Sequence, residues 1–148
     1  SLADAPRYDQ ASNADLMTQP QDVPPFIEQT GIDLLAVSVG TAHGMYAPGV
    51  KPMLDFDRLA QIQRASSVPL ALHGGSGTPF EQLQRCPEFG VAKINVGAAV
   101  FEAGKAALLH TLCHDSTIEL ADALSVMEQA SADAIVPYLR ASGSINKA

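Results

Sequence analysis

The sequence predicts an α/β protein built on a parallel sheet. Three short apolar runs, at residues 33–39, 68–72 and 91–96, each lead into a turn that contains glycine. A short apolar run of this kind is typical of a strand that is buried on both faces. A segment with helical character follows each run. Three strand–loop–helix units in succession therefore predict parallel strands joined by right-handed crossovers.

The predicted helices lie before and between these strands. The first runs through residues 26–30, with Pro24 and Pro25 in its first turn and Gly31 as its C-terminal glycine. Proline is tolerated in the first turn of a helix but not in its interior, and glycine commonly ends a helix. The other helices of this part are predicted to begin near residues 55, 79 and 98.

The character of the chain changes after Cys113, where no further strand is predicted. Residues 116–130 and 131–140 are predicted to form two helices, the second interrupted or begun by Pro137. Residues 142–148 consist mostly of small and polar side chains and are predicted to form a flexible tail.

The length and composition favour one globular domain. The chain has 148 residues, 47% of them hydrophobic and 17% charged, which is enough to bury a sizeable core. Residues 1–112 are predicted to form its α/β part and residues 113–148 a helical C-terminal extension of the same domain. The net charge of -7 argues against a broad nucleic-acid or acidic-membrane surface. The two cysteines, Cys86 and Cys113, are predicted to be reduced thiols of a cytoplasmic protein, and a disulfide is the less favoured alternative.

Two histidines follow successive predicted strands. His43 comes after the first strand, and His73 comes directly after the second. Neighbouring strands lie about 4.8 Å apart, so two imidazoles that leave adjacent strand ends can reach one ion, and zinc readily accepts histidine nitrogen. The alternative is that each histidine is a hydrogen-bonded polar residue at a strand end. Two histidines at equivalent positions, each followed by glycine, favour a zinc site.

Two turns rich in small residues offer backbone N–H groups to an anion. The turn at residues 73–77 reads His-Gly-Gly-Ser-Gly, and the turn at residues 95–98 reads Asn-Val-Gly-Ala and leads into a helix. Glycines let a phosphate approach the backbone, and the N–H groups of a helix N-terminus attract anions. The alternative is that both are simply tight connections between strand and helix. Their succession beside the histidines favours a phosphate site.

Five stretches of sequence resemble a known enzyme family. They are Gly-Ile-Asp at 31–33, Val-Gly-Thr-Ala-His-Gly-Met-Tyr at 39–46, Leu-Asp-Phe at 54–56, Pro-Leu-Ala-Leu-His-Gly-Gly-Ser-Gly at 69–77 and Ala-Lys-Ile-Asn-Val at 92–96. These stretches resemble the second half of the class II, zinc-dependent ketose-bisphosphate aldolases, and the second is closest to the tagatose-bisphosphate subgroup. The resemblance implies the C-terminal part of a (β/α)₈ TIM barrel, with about three of its eight βα units.

The resemblance also implies an activity and the residues that serve it. The activity is the reversible aldol cleavage of tagatose- or fructose-1,6-bisphosphate to dihydroxyacetone phosphate and an aldehyde, with zinc as the Lewis acid. By resemblance, His43 and His73 are the zinc ligands. The phosphate end of the substrate is expected to contact Gly44, Gly74, Gly75, Ser76, Asn95, Val96, Gly97 and Ala98.

The chain departs from the family pattern in two ways. The family has threonine where this chain has Ala98, so a hydroxyl that contacts phosphate is lost. The family's Asp-His pair, which supplies the acid/base group and another zinc ligand, precedes Ser1. We therefore expect an N-terminal half to complete the barrel, and we expect this chain alone to be inactive. The alternative partner is a second copy of the chain, in a homo-oligomer. The alternatives are a non-catalytic fragment or accessory subunit, and a zinc-free barrel that binds sugar phosphates.

A second pair of histidines is a weaker candidate for metal binding. His110 and His114 are spaced i,i+4 on a predicted helix, with Cys113 nearby. The pair lacks the glutamate of a metalloprotease motif. A solvated helix end is the favoured interpretation.

Overall fold

The computed structural model describes residues 17–41 and 51–147. Two predicted site residues, His43 and Gly44, lie outside the described residues. After a 3₁₀ turn at Pro20–Asp22, the elements are α1 (Val23–Thr30), β1 (Leu35–Val37), α2 (Phe56–Ala65), β2 (Leu70–Leu72), α3 (Phe80–Arg85), a 3₁₀ turn (Cys86–Phe89), β3 (Val91–Ile94), α4 (Ala98–His114) and α5 (Leu120–Ala141).

The three strands form one parallel sheet in the order β1-β2-β3, as the apolar runs predict. Val37 pairs with Leu72, and Leu72 pairs with Ile94, so the strands end at one level. The residues that follow β2 and β3 are His73 and Asn95. The carboxyl edge of the sheet therefore carries both of these polar side chains.

The pairing of β2 with β3 contains an irregularity that affects this edge. Residues 70 and 71 of β2 are consecutive, whereas their partners Val91 and Lys93 are separated by Ala92. An extra residue of this kind bends the strand and changes the alignment of everything that follows it. With regular pairing, Asn95 would lie one position further from the end of β2. The irregularity therefore brings Asn95 level with the residue that follows β2.

The hydrophobic core lies between one face of the sheet and the helices α1 to α3. Helix α1 ends at Gly31, which has a φ angle of +64°, and α2 begins after Asp55, whose carboxylate accepts from the Arg58 N–H at 2.9 Å. Both helix boundaries agree with the sequence prediction. The fully buried side chains of the core include Leu59, Ile62, Leu70, Leu72 and Leu83.

In the part of the chain that the structure describes, the other face of the sheet is buried at its centre, where Ala71 is 3% exposed, and exposed on the two flanking strands. Ala36, Ala71 and Lys93 are partners in the sheet and point to the same face. Ala36 and Lys93 are exposed, and within the described residues no ion pair or hydrogen bond involves the Lys93 side chain. Parallel sheets are normally covered on both faces. The exposed parts of this face, on β1 and β3, are therefore available to further elements of structure.

Helix α5 corrects one prediction about the C-terminal part. Leu120–Ala141 is a single helix with Pro137 inside it, whereas the sequence predicted two helices at residues 116–130 and 131–140. Proline removes one N–H donor and crowds one carbonyl, but α5 packs along α4 and against α3. Ser131, before the proline, bonds to Val100 of α4, and Tyr138, after it, contacts Phe80 of α3, so neighbouring helices hold both halves of α5.

Gly104 permits the close packing of α4 on α5. It is the buried residue of α4, and a Cβ atom at this position would collide with Ser131 Oγ. The same Ser131 hydroxyl donates to the Val100 carbonyl at 3.4 Å, which joins the two helices. Glycine costs about 1 kcal/mol of helix propensity relative to alanine, so close contact between the helices must offset that cost.

The chain turns back after α5. The N–H of Ser144 donates to the Leu139 carbonyl at 2.9 Å, and Gly143 has a φ of +71°. The described part of the predicted tail therefore caps α5. Helix α4 continues to His114, past the predicted division at residue 112, and that division stays a prediction.

Both cysteines are free thiols, and Cys86 is buried while Cys113 is exposed. Within residues 17–41 and 51–147, no helix is long and apolar enough to cross a membrane. The cytoplasmic location stays a prediction.

Candidate active site at the carboxyl edge of the sheet

Thr41 joins the loop after β1 to the loop after β2. Its hydroxyl donates to the carbonyl oxygen of His73 at 2.7 Å. This bond fixes the backbone of His73 from the side of β1, although the rest of the loop after Thr41 lies outside the described residues.

His73 and Asn95 contact each other across neighbouring strands. The Asn95 side-chain nitrogen lies 3.1 Å from Nδ1 and 3.5 Å from Nε2 of the imidazole, and both side chains are partly buried. An amide carries a donor and an acceptor, so it can pair with either tautomer of histidine. Asn95 therefore orients the ring of His73 whichever nitrogen carries the proton.

Gly75 lets the glycine loop (residues 73–77) pack against the turn after β3 (residues 95–98). The Gly75 N–H donates to the Asn95 carbonyl at 3.0 Å. A Cβ atom at Gly75 would lie 2.9 Å from that oxygen and 2.9 Å from Cγ2 of Ile94. Only glycine fits between the two loops without displacing one of them. The neighbouring Gly74 has a φ of +74°, which also favours glycine.

Ser76 connects the glycine loop to the amino end of α4. Its side chain is only 4% exposed, and its hydroxyl oxygen accepts from the N–H groups of Gly97 at 3.2 Å and Ala99 at 3.1 Å. Thr78, which is also buried, closes the same loop by donating to the Gly74 carbonyl at 3.0 Å. The three loops are therefore linked by hydrogen bonds in the order of their strands.

A cavity of about 680 Å³ runs along β3, between the strand and the C-terminal end of α5. One end of the cavity meets the strand-end residues, and the other reaches Val91 and Pro87 at the far end of the strand. The cavity is therefore longer than the candidate site, and only the end near His73 belongs to it. The predicted site residues that line it are His73, Gly74, Ser76, Asn95, Val96, Gly97 and Ala98.

Gly75 is buried beneath this surface, with its N–H group already bonded to Asn95. Gly75 therefore packs the two loops closely together, and phosphate contact by Gly75 stays a prediction. Zinc ligation by His43 and His73 and phosphate binding by the predicted residues stay predictions, and His43 and Gly44 in addition lie outside the described residues. In the described part of the chain, no group of three histidine, cysteine, aspartate or glutamate side chains comes together.

The cavity also has lining residues that the sequence did not indicate. Tyr138 of α5 lines it, and its hydroxyl lies 3.5 Å from the Gly77 N–H while its ring meets Phe80 edge-on. No sequence signal marks Tyr138, because its position depends on how α5 packs. Lys93 lines the cavity as well. The sequence does mark this residue, because it is a charged residue within an apolar strand.

The other reactive side chains lie away from this edge. His110 and His114 are exposed, their rings stack with centroids 4.0 Å apart, and His114 Nδ1 donates to the His110 carbonyl at 2.8 Å. This arrangement fits the solvated helix end predicted for the pair. Burial raises the pKa of the Cys86 thiol to about 11, so Cys86 stays protonated at neutral pH and is a poor nucleophile.

Comparison with known proteins supplies a family. Residues 4–147 match the family model of class-II fructose-bisphosphate aldolase. The YdjI aldolase from Escherichia coli K12 is 30% identical, with a TM-score of 0.76 over 89% of this chain and 48% of that one. A fructose-bisphosphate aldolase from Campylobacter jejuni has the same fold at 21% identity, with a TM-score of 0.73 over 95% of this chain and 50% of that one. The chain spans about half the length of these structures.

The packing of Gly75 can be tested by substitution. Gly75→Ala should lower the free energy of unfolding by roughly 1–3 kcal/mol, because the new methyl group forces the two loops apart. Gly97→Ala is the matched control, since a Cβ atom there meets only Phe101 Cε2, at 3.9 Å. The control should change stability by less than about 1 kcal/mol. Urea denaturation measures both, and equal effects would contradict the proposed packing of the loops.

Proposed function

Because the chain belongs to the class II fructose-bisphosphate aldolase family, we propose that it forms the zinc- and phosphate-binding part of an aldolase active site. The reaction is the reversible aldol cleavage of a ketose bisphosphate, tagatose- or fructose-1,6-bisphosphate, to dihydroxyacetone phosphate and an aldehyde. The observation that carries the proposal is the level carboxyl edge of the sheet, where His73, Asn95 and the two small-residue turns lie together.

His43 and His73 are the proposed zinc ligands. The donor chemistry fits, because imidazole nitrogen is a common ligand of catalytic zinc. With the Asn95 amide turned so that its oxygen, rather than its nitrogen, faces a protonated Nδ1, the lone pair of His73 Nε2 is left for the metal. Such a partner fixes the tautomer and the ring orientation of a ligating histidine. The bound ion supplies a Lewis acid that polarises the substrate ketone. A catalytic zinc usually has three protein ligands, so we expect the third outside this chain.

The phosphate of the substrate is proposed to bind between the glycine loop and the amino end of α4. The first-turn N–H groups of a helix attract anions, and Ala98 and Ser76 both line the cavity there. Phosphate held at this point fixes the remote end of the substrate. The binding energy of the phosphate then orients the carbons that react, without acting on them directly.

The acid/base group and the rest of the barrel are proposed to come from an N-terminal half. The exposure of Ala36 and Lys93 on β1 and β3 supports this proposal, because a parallel sheet normally has both of its faces covered. A TIM barrel closes with eight strands, of which the described residues contain three. We therefore expect cleavage only when this chain is joined by, or continuous with, the remaining strands.

Zinc binding and cleavage test this function together. In the whole protein, His43→Ala and His73→Ala should each lower zinc affinity at least about 100-fold, and Asn95→Ala roughly 10- to 100-fold through the lost support of His73. His110→Ala is the matched control and should bind zinc normally. Metal analysis and the rate of ketose bisphosphate cleavage before and after chelation are the measurements. Cleavage that survives complete removal of zinc would contradict the proposal and favour the zinc-free barrel.

The position of Ala98 yields a separate prediction. Ala98→Thr restores the hydroxyl that the family carries, and a hydrogen bond to a charged group contributes roughly 1.5–3 kcal/mol. The dissociation constant for dihydroxyacetone phosphate, measured by calorimetry, should therefore fall about tenfold or more. Ala99→Thr makes the same change one position further along the helix and should have little effect. Unchanged or weaker binding in Ala98→Thr would show that this part of the turn does not face the phosphate.

A further inference from the structure

Ser76 uses its side-chain oxygen in an unusual way for a residue in a ligand loop. The oxygen accepts two backbone N–H groups, from Gly97 and Ala99, and the side chain is almost completely buried. A hydroxyl oxygen has two acceptor positions and one donor hydrogen. Both acceptor positions are filled, so the Ser76 hydroxyl can offer any further group only its hydrogen.

Helix α4 lacks a cap of its own. Its N-cap residue is Gly97, which has no side chain and makes no side-chain cap bond. The N–H groups of the first turn have no acceptor within the helix and are normally satisfied by a Ser, Thr, Asp or Asn at the N-cap. Here a serine 21 residues earlier in the sequence, in the loop of a different strand, accepts from the N-cap N–H itself.

We propose that Ser76 is a positioning residue that caps α4 from the neighbouring loop. The cap fixes the glycine loop relative to the turn after β3 (residues 95–98). This inference rests on the proposed function, because the cap affects catalysis only if the start of α4 binds the phosphate of the substrate. Two donors then remain at this point, the Ser76 hydroxyl hydrogen and the N–H of Ala98. A site made of donors favours a group that only accepts hydrogen bonds, which is the chemistry of a phosphate dianion.

Amide hydrogen exchange of the whole protein without ligand tests the cap directly. Ser76→Ala should accelerate exchange at Gly97 and Ala99 by roughly 2- to 30-fold, the range expected for loss of an N-cap. Ser76→Cys has nearly the same size and is a poor acceptor, so it should have a similar effect even if the alanine variant fails to fold. The control is Thr78→Val, which removes an equally buried hydroxyl of the same loop that does not contact α4.

Hydrogen exchange with inorganic phosphate and steady-state kinetics give two further tests of the proposal. Saturating phosphate should slow exchange at Ala98 in the unmodified protein but leave Gly97 and Ala99 unchanged, because Ser76 already protects them. In Ser76→Ala, the KM for ketose bisphosphate should rise more than kcat falls, as expected when a ground-state contact is weakened.

The outcomes separate the two proposals. Unchanged exchange at Gly97 and Ala99 in both Ser76 variants overturns the cap, whatever the activity. Exchange that is equally fast in Thr78→Val also overturns it, because the effect would then be general loosening of the loop. Accelerated exchange in the Ser76 variants, together with no phosphate binding in the unmodified protein, supports the cap and counts against the proposed function.

Discussion

The level ending of the three parallel strands is the constraint on which the site depends. Side chains alternate between the faces of a sheet, so a shift of one residue in register sends each side chain to the opposite face. The extra residue Ala92 in β3 sets this register at the strand that carries Asn95. It brings Asn95 level with His73, where their side chains meet at 3.1 Å. A regular pairing would separate the two groups that the proposed metal site needs side by side.

Hydrogen bonds between the loops keep the loops aligned in the same way as the strands that they follow. Thr41 holds the backbone of His73, Gly75 holds that of Asn95, and Ser76 holds the first turn of α4. Each such bond contributes only about 0.5–1.5 kcal/mol net, but together they fix three loops relative to one another before a ligand arrives. A site that is arranged in advance spends less binding energy on ordering its loops.

The sequence was sufficient for the order of elements, the parallel sheet, the family and the placement of His73 at a strand end, because these depend on local patterns of apolar residues, glycines and recognisable motifs. It could not predict features that depend on packing between distant parts. Pro137 suggested two helices, yet contacts on both sides hold one continuous α5. No feature of the sequence indicates the extra residue in β3. The His-Gly-Gly-Ser-Gly turn at residues 73–77 likewise did not reveal that Ser76 caps α4. Tyr138 reaches the cavity only through the packing of α5.

The central claim is that His43 and His73 share one zinc ion at the carboxyl edge while phosphate binds at the start of α4. A crystal structure of the whole protein with zinc and dihydroxyacetone phosphate, with anomalous data collected at the zinc edge, tests it most directly. The account predicts one zinc peak about 2.0–2.1 Å from a nitrogen of each histidine, with the phosphate within hydrogen-bond distance of Ser76 Oγ and the Ala98 N–H. Imidazoles on opposite faces of the sheet, or phosphate bound away from α4, would contradict it.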